Sequence, residues 1–332
     1  MVSEAQATRP GAVSAPLRLE LVLAGLAVAS VIELLILRTF TRTAVHIPAL
    51  SELRDPYEAL ASLGRYAYYV SAVLLILSLP FAVARLWGRG DLYARVAAAA
   101  VVLFALTAAV ARADAASVIL VDVLTVGAVI MAASAAAARM DAPGALVLGA
   151  FATAFALQGT STMLQDAASQ GYGSYETRWM LWGAEWLALA FAALAPLGLA
   201  ARPSRLALGL AAIAGLVMFA ALLANGSTTK ILLLWNEGLA GTLPSVAYAV
   251  GAAALLATAL GLLRQRRLVV LAGFVLLITG GIGLHSTYQT GLVVAGMVAL
   301  CIGAREAPRT ARGTARAAQE PSAPGRPLAS SS

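Results

Sequence analysis

The sequence predicts an all-α fold: a polytopic integral membrane helix bundle with about ten transmembrane helices. Hydrophobic residues make up 61% of the 332 residues, and the mean hydropathy is +0.84. Charged residues make up 12%, about half the share that soluble domains carry. The apolar runs are long and uncharged and do not alternate with polar residues, which favours membrane-spanning helices of about 20 residues over barrel strands.

Ten apolar segments are long enough to be spans. The first continues past any small-residue cleavage site to Arg38, so it is interpreted as a retained span and not as a cleaved signal. The ten predicted spans cover residues 17–38, 64–87, 95–112, 116–138, 143–164, 179–200, 206–224, 243–263, 268–286 and 287–304.

The remaining segments divide the chain around a transmembrane helical domain at residues 17–304. Residues 1–16 are polar and rich in Pro, Gly and Ala, which predicts a disordered cytoplasmic N-terminus. Residues 39–63 form the one long outer loop. The apolar part of 225–242 is too short to cross, so we expect a re-entrant or interfacial segment there. Residues 305–332 are basic and then rich in Pro, Ser and Ala, which predicts a disordered cytoplasmic tail.

The arginines predict the orientation. With the N-terminus inside, 16 of the 23 Lys and Arg residues fall on the inner side and 7 on the outer side, and the "RQRR" run at 264–267 is the strongest local signal. An even number of spans also returns the C-terminus to the inside. We therefore expect a multi-pass protein of the plasma membrane, N-in and C-in, whose basic residues serve orientation and not nucleic-acid binding.

Polar residues inside the predicted spans concentrate in the outer halves. Glu33, Asp122 and Glu185 lie at similar depths there, and an ionisable group in hydrocarbon costs about 2.5–3.5 kcal/mol on an insertion scale. The three acids are thus candidates for proton handling at a site near the outer face. The alternative is that each one hydrogen-bonds across a helix interface and fixes packing.

The stretch "GLHSTYQTG" is predicted to be the outer turn between the last two spans, and it contains His285. The second histidine, His46, lies in the long outer loop, so both are expected on the same side. Neutral imidazole is the usual haem ligand, and the pair is therefore a candidate site for a b-type haem or a quinone, unless the two are unrelated surface residues. Cys301 is the single cysteine and no zinc motif is present, so no metal site is predicted.

Aromatic and amide side chains are expected at the same level. Trp182 and Trp186 begin the sixth span, Tyr288 begins the tenth, and Gln158 lies in the outer half of the fifth. An interfacial aromatic belt is one explanation. The other is an aromatic wall around a quinone or lipid tail, which makes these residues candidate cofactor-binding groups.

Three functions are compatible with this pattern. The first is the membrane subunit of a redox or respiratory complex, with a quinol or b-type haem site near the outer face and an extracytoplasmic electron carrier as its protein partner. The second is a transporter of a small solute or lipid-like molecule, with or without coupling to protons, which requires a route to both faces. The third is an outer-leaflet enzyme acting on a lipid-linked substrate through acids of the first loop or Glu237, so enzymatic activity stays open.

Overall fold

The structure is a computed structural model that describes residues 15–40, 54–112, 118–140, 267–281 and 286–303, with single positions between 145 and 263. This part of the chain is all-helical, as predicted. Its helices are α1 (Ala15–Glu33), a π-helical segment that continues it (Leu34–Phe40), α2 (Arg54–Trp87), α3 (Leu92–Arg112), α4 (Val118–Ala137), α5 (Leu268–Gly281) and α6 (Thr287–Gly303).

Four segments are long and apolar enough to cross a membrane: Leu19–Arg38, Tyr57–Trp87, Leu92–Ala111 and Leu120–Ala137. The shorter helices α5 and α6 are also apolar. Several long apolar helices indicate a membrane protein. The total of about ten spans and the N-in, C-in orientation stay predictions.

Successive helices run in opposite directions between two ends of the bundle. Gly64 at the start of the apolar part of α2 touches Ile36 and Leu37 after α1, and Gly280 at the end of α5 touches Gln289 in the first turn of α6. We call this the Tyr288 end, after a residue of the same turn of α6. The opposite end, where the α2–α3 turn and the C-termini of α4 and α6 meet, is called the Arg139 end.

Helix α6 is the centre of the described bundle. It packs against α2, α3, α4 and α5, while α1 packs on α2 and α5. Every residue from Gln289 to Gly303 is buried. A helix that is apolar all round is the kind that other helices surround, and α6 therefore fixes where the side chains of its first turn lie.

Glycines allow α5 and α6 to approach closely. Gly273 and Gly280 are seven residues apart on α5, as are Gly296 and Gly303 on α6, so each pair lies on one helix face. A Cβ on Gly296 would lie 2.8 Å from the Gly273 carbonyl oxygen, and one on Gly280 would lie 2.8 Å from the Gln289 carbonyl oxygen. Small residues at helix interfaces are typical of membrane helices, because backbone contact replaces the hydrophobic driving force.

Arginines close the Arg139 end. Arg139 donates from Nη1 to the Cys301 carbonyl oxygen at 2.7 Å, and Arg89 donates from Nη1 to the Ile302 carbonyl oxygen at 3.1 Å. Arg139 also forms an ion pair with Asp91, whose Oδ1 accepts the Ala94 N–H at 2.8 Å and caps α3. The last carbonyls of α6 thus receive cationic donors, as a helix C-terminus favours.

Helix α2 is longer than a single span requires. Its 34 residues correspond to about 51 Å, against about 30 Å for the hydrocarbon core. It begins at Arg54, ten residues before the predicted span, because Glu, Ala and Leu favour helix there and Pro56 lies in the first turn, where proline is tolerated. The helix therefore tilts or projects beyond the membrane at the Tyr288 end.

Candidate functional site

A buried ion pair lies at the Tyr288 end. Glu33 is the last α-helical residue of α1 and is 2% exposed, and Arg38 follows in the π-helical segment. Arg38 Nη2 lies 2.7 Å from Glu33 Oε2, and Arg38 Nε donates to the same oxygen at 3.0 Å. The side chain of Arg38 is 12% exposed, so both charges are largely removed from solvent.

The π-helical geometry explains this pairing. In an α-helix, residues five apart lie about 140° from each other around the axis. A π-helix has i→i+5 hydrogen bonds, so residues five apart lie one above the other. The widened turn therefore brings Arg38 over Glu33, and the guanidinium compensates a carboxylate that would otherwise be buried alone.

A second polar group surrounds Tyr288, which is half-buried at the start of α6. Its hydroxyl forms a hydrogen bond with the hydroxyl of Ser71 on α2. Ser71, fully buried, donates to the Tyr68 carbonyl oxygen at 3.0 Å. Either hydroxyl can be the donor in this pair; in the arrangement where the Ser71 proton goes to the Tyr68 carbonyl oxygen, Tyr288 donates to Ser71 and its phenolic oxygen can accept.

Aromatic rings extend this group. The rings of Tyr68 and Tyr288 meet edge to face with centroids 4.8 Å apart, and Tyr69 packs on Tyr68 in the same manner at 5.6 Å. This is a preferred geometry for aromatic pairs. Tyr69 is 61% exposed, so the aromatic row leads from the buried Ser71 to the surface of the described helices.

The first turn of α6 holds Tyr288 in place. Ser286 Oγ accepts the Gln289 N–H at 3.2 Å and donates to Gln289 Oε1 at 3.1 Å. The pattern Ser-x-x-Gln is that of a capping box, in which the first and fourth residues satisfy the free ends of the helix. The described part of the polar stretch "GLHSTYQTG", from Ser286 onward, therefore forms the start of α6, and Tyr288 lies inside its first turn.

The ion pair lies within electrostatic range of the Tyr288 group. Glu33 and Arg38 are near enough to Tyr288 for their charges to act on its hydroxyl. We call the five residues Glu33, Arg38, Tyr68, Ser71 and Tyr288 the tyrosine site. It combines an acceptor hydroxyl, a compensated carboxylate and aromatic edges at one end of the bundle.

The third described acidic candidate lies elsewhere at this end. Asp122 is half-buried in the second turn of α4, which packs on α3 and α6. Glu33 belongs to α1, which packs on α2 and α5. Glu33 is the described acidic candidate whose charge acts on Tyr288.

Other predicted site residues fall outside the described residues. They are His46, Gln158, Trp182, Glu185, Trp186 and His285. Within the ranges described here, no group of three or more His, Cys, Asp or Glu residues could hold a metal ion.

Arg38, Ser71 and Tyr68 belong to the site but were not singled out from the sequence as site residues. Arg38 is five residues after Glu33, a spacing that does not bring side chains together in an α-helix. Ser71 and Tyr68 are three residues apart on α2, a spacing that places them on one face, but only tertiary packing brings Tyr288 against them. The one sequence signal for Ser71 and Tyr68 was that polar side chains share one face of an otherwise apolar span.

Comparisons of the chain with protein-family models, with curated proteins and with solved structures give no match.

Proposed function

We propose that this protein is the membrane subunit of a redox or respiratory-type complex and binds a quinol head group at the tyrosine site. The observation that carries the proposal is the hydrogen-bonded chain from Tyr288 through Ser71 to the Tyr68 carbonyl. We propose that Tyr288 donates to Ser71 while Ser71 donates to this carbonyl, which makes the phenolic oxygen available as an acceptor. A quinol hydroxyl is a donor and fits this oxygen, whereas a quinone carbonyl is an acceptor and does not.

The aromatic edges support the same ligand. Tyr68 and Tyr69 supply ring faces and edges beside the hydroxyl, and aromatic pairs of this geometry add about 0.5–1.5 kcal/mol to apolar burial. A quinol ring with an apolar tail needs such a surface at the edge of the hydrocarbon region. The placement of Tyr69 at the surface of the described helices supports entry from the lipid.

Charge supports the redox role. Oxidation of a quinol to a quinone releases two electrons and two protons, so the site needs a group that can receive protons. Glu33 is the buried acid of the tyrosine site, and its charge acts on Tyr288. We propose Glu33 as the first proton acceptor and Arg38 as the group that holds it in place.

The electrons need an acceptor outside the tyrosine site. We propose a b-type haem ligated by His46 and His285, and an electron carrier that docks at the predicted outer face. A spectrum of the purified protein, oxidised and then reduced with dithionite, tests this part. A reduced b-type band that is lost in His46→Ala and in His285→Ala supports it, and a colourless protein from haem-replete cells contradicts it.

One observation favours the alternative of a transporter. The π-helical turn inside the first span resembles the interrupted helices that often carry transporter binding sites. Alternating access also needs a polar route to the other end, and the described part of α6 from Gly291 onward lies in a buried, almost entirely apolar environment. We therefore place the redox function first.

The binding preference for the reduced ligand tests the proposed function. Isothermal titration calorimetry of the detergent-purified protein would compare decylubiquinol with decylubiquinone. Leaving an acceptor facing an acceptor forfeits a hydrogen bond worth about 1 kcal/mol, so we expect the quinol to bind about fivefold more tightly. Equal binding of both forms, or binding of neither, would contradict the proposal.

A further inference from the structure

An apolar groove runs between α2 and α3 in the half of the bundle nearer the Arg139 end. It is open along one side and has a volume of about 730 Å³. Both helices contribute apolar side chains to its walls, and Pro80 interrupts the backbone hydrogen bonding of α2 beside it. Its main lining residues are Leu79, Pro80, Val83, Trp87, Val102 and Leu106.

A cation lies beyond the end of the groove that faces the Arg139 end, on the same face of α3 as two of the lining residues. Arg95 is seven residues before Val102 and eleven before Leu106, so the three lie on one face of α3. Arg95 is exposed, and among the residues that the structure describes no carboxylate forms an ion pair with its side chain. Trp87 is 64% exposed and lines the groove from the facing helix.

The surrounding charge is positive as well. The described side chains at the Arg139 end include five arginines, Arg85, Arg89, Arg95, Arg139 and Arg267, and two acids, Glu20 and Asp91, for a balance of 5 − 2 = +3. Asp91 is already paired with Arg139. The arginine distribution predicts that this end faces the cytoplasm, where the leaflet carries anionic lipids.

We propose that this groove binds an anionic phospholipid. One acyl chain lies along Pro80, Val83 and Val102, and the phosphate lies at the guanidinium of Arg95. Trp87 lies at the level of the head group, where tryptophan is enriched in membrane proteins. The apolar groove complements the acyl chain in shape, and Arg95, which pairs with no described carboxylate, complements the phosphate in charge. A zwitterionic lipid lacks the net negative charge that Arg95 and the neighbouring arginines favour.

Quenching of Trp87 fluorescence tests this site without reference to the tyrosine site. The full-length protein would be placed in bilayers that contain brominated phosphatidylglycerol or brominated phosphatidylcholine. The difference between wild type and Trp87→Phe isolates the signal of Trp87 from that of the other tryptophans. We expect stronger quenching by phosphatidylglycerol, and an apparent affinity about fivefold weaker in Arg95→Gln, because one arginine near an anionic surface has about that effect.

Two further variants complete the test. Ala84→Phe places a ring in the groove from an exposed position and should displace the lipid while Arg95 is retained. Arg65→Gln removes an exposed arginine at the opposite end of α2 and should leave the quenching unchanged. Equal quenching by the two lipids, or unchanged selectivity in both Arg95→Gln and Ala84→Phe, would show that only bulk lipid fills the groove and would overturn the proposal.

Discussion

The ion pair between Glu33 and Arg38 joins two buried charges within one continuous helix. Removing one member of a buried pair leaves the other charge without compensation, which costs more than the pair contributes relative to apolar residues. The carboxylate oxygen Glu33 Oε2 receives both contacts from Arg38, at 2.7 and 3.0 Å. The pair therefore stabilises the π-helical turn that creates it.

Glu33→Gln should lower the free energy of unfolding by about 3 kcal/mol, because the Arg38 guanidinium would remain buried alone. The double variant Glu33→Leu with Arg38→Met should regain most of this loss. Titration with sodium dodecyl sulfate in mixed micelles would measure both. Glu58→Gln, at an exposed position of α2, is the matched control and should change the stability by less than about 0.5 kcal/mol. A Glu33→Gln protein as stable as the Glu58→Gln protein would contradict this account.

At the scale of single residues, the sequence predicted which side chains are polar within apolar spans but not which of them meet. Glu33 and Tyr288 were both singled out as candidates. Their partners Arg38 and Ser71 depend on a π-helical turn and on the rotation of α2 against α6. No Gly or Pro in "LLILRTF" marks that turn, so hydropathy and helical spacing alone could not predict it.

Among the elements, the α5–α6 hairpin depends on backbone contact. A Cβ on Gly296 would lie 2.8 Å from the Gly273 carbonyl oxygen and 3.0 Å from the Leu277 nitrogen, and neither backbone atom can move without shifting a helix. The equivalent atom on Gly127 of α4 would meet only the end of the Leu103 side chain, at 3.8 Å. Both glycines lie inside helices, but only Gly296 has backbone atoms of a neighbouring helix close to the position of a Cβ.

Gly296→Ala should therefore destabilise the protein by about 1–3 kcal/mol, the usual cost of overpacking. Gly127→Ala should be neutral or stabilising by up to about 1 kcal/mol, because alanine is the better helix former and has room. The midpoint of thermal unfolding in detergent would compare the two proteins. If both variants shifted the midpoint by the same amount, the close backbone contact at Gly296 would not determine the stability of the α5–α6 hairpin.

The bounds of helices could be predicted where polar residues interrupt apolar runs. Helix α6 begins at Thr287, the predicted start of the tenth span, and α3 begins at Leu92, three residues before the predicted start of its span, with Asp91 as its N-cap. The start of α2 was predicted ten residues too late, because residues 54–63 are too polar for a span while still favouring helix. Hydropathy predicts which residues lie within the membrane, but it does not predict where a helix that extends beyond the membrane begins.

For the molecule as a whole, we predict that the Tyr288 end faces the outside of the membrane. Four apolar helices long enough to cross a membrane support a membrane protein, while orientation rests on the arginine distribution. The described helices do place Arg89, Arg95 and Arg139 at one end and Glu33 and Tyr288 at the other. Arg38 also lies at the Tyr288 end, so arginines occur at both described ends, and which end faces outside stays a prediction.

Cysteine labelling of intact cells would establish which end is outside. Leu92→Cys and Thr287→Cys each introduce a thiol at an exposed position, one at each end, while the native Cys301 is buried and should not react. An impermeant maleimide should label Thr287→Cys directly and Leu92→Cys only after the membrane is permeabilised. The reverse pattern would put the tyrosine site on the cytoplasmic side.

The affinity of decylubiquinol for three proteins tests the proposed quinol site most directly. Isothermal titration calorimetry would compare wild type, Tyr288→Phe, and Tyr66→Phe, whose exposed hydroxyl serves as the matched control. Loss of the acceptor oxygen should weaken quinol binding about fivefold in Tyr288→Phe, the equivalent of one hydrogen bond, and leave it unchanged in Tyr66→Phe. Equal affinities in all three proteins would contradict a quinol site at Tyr288.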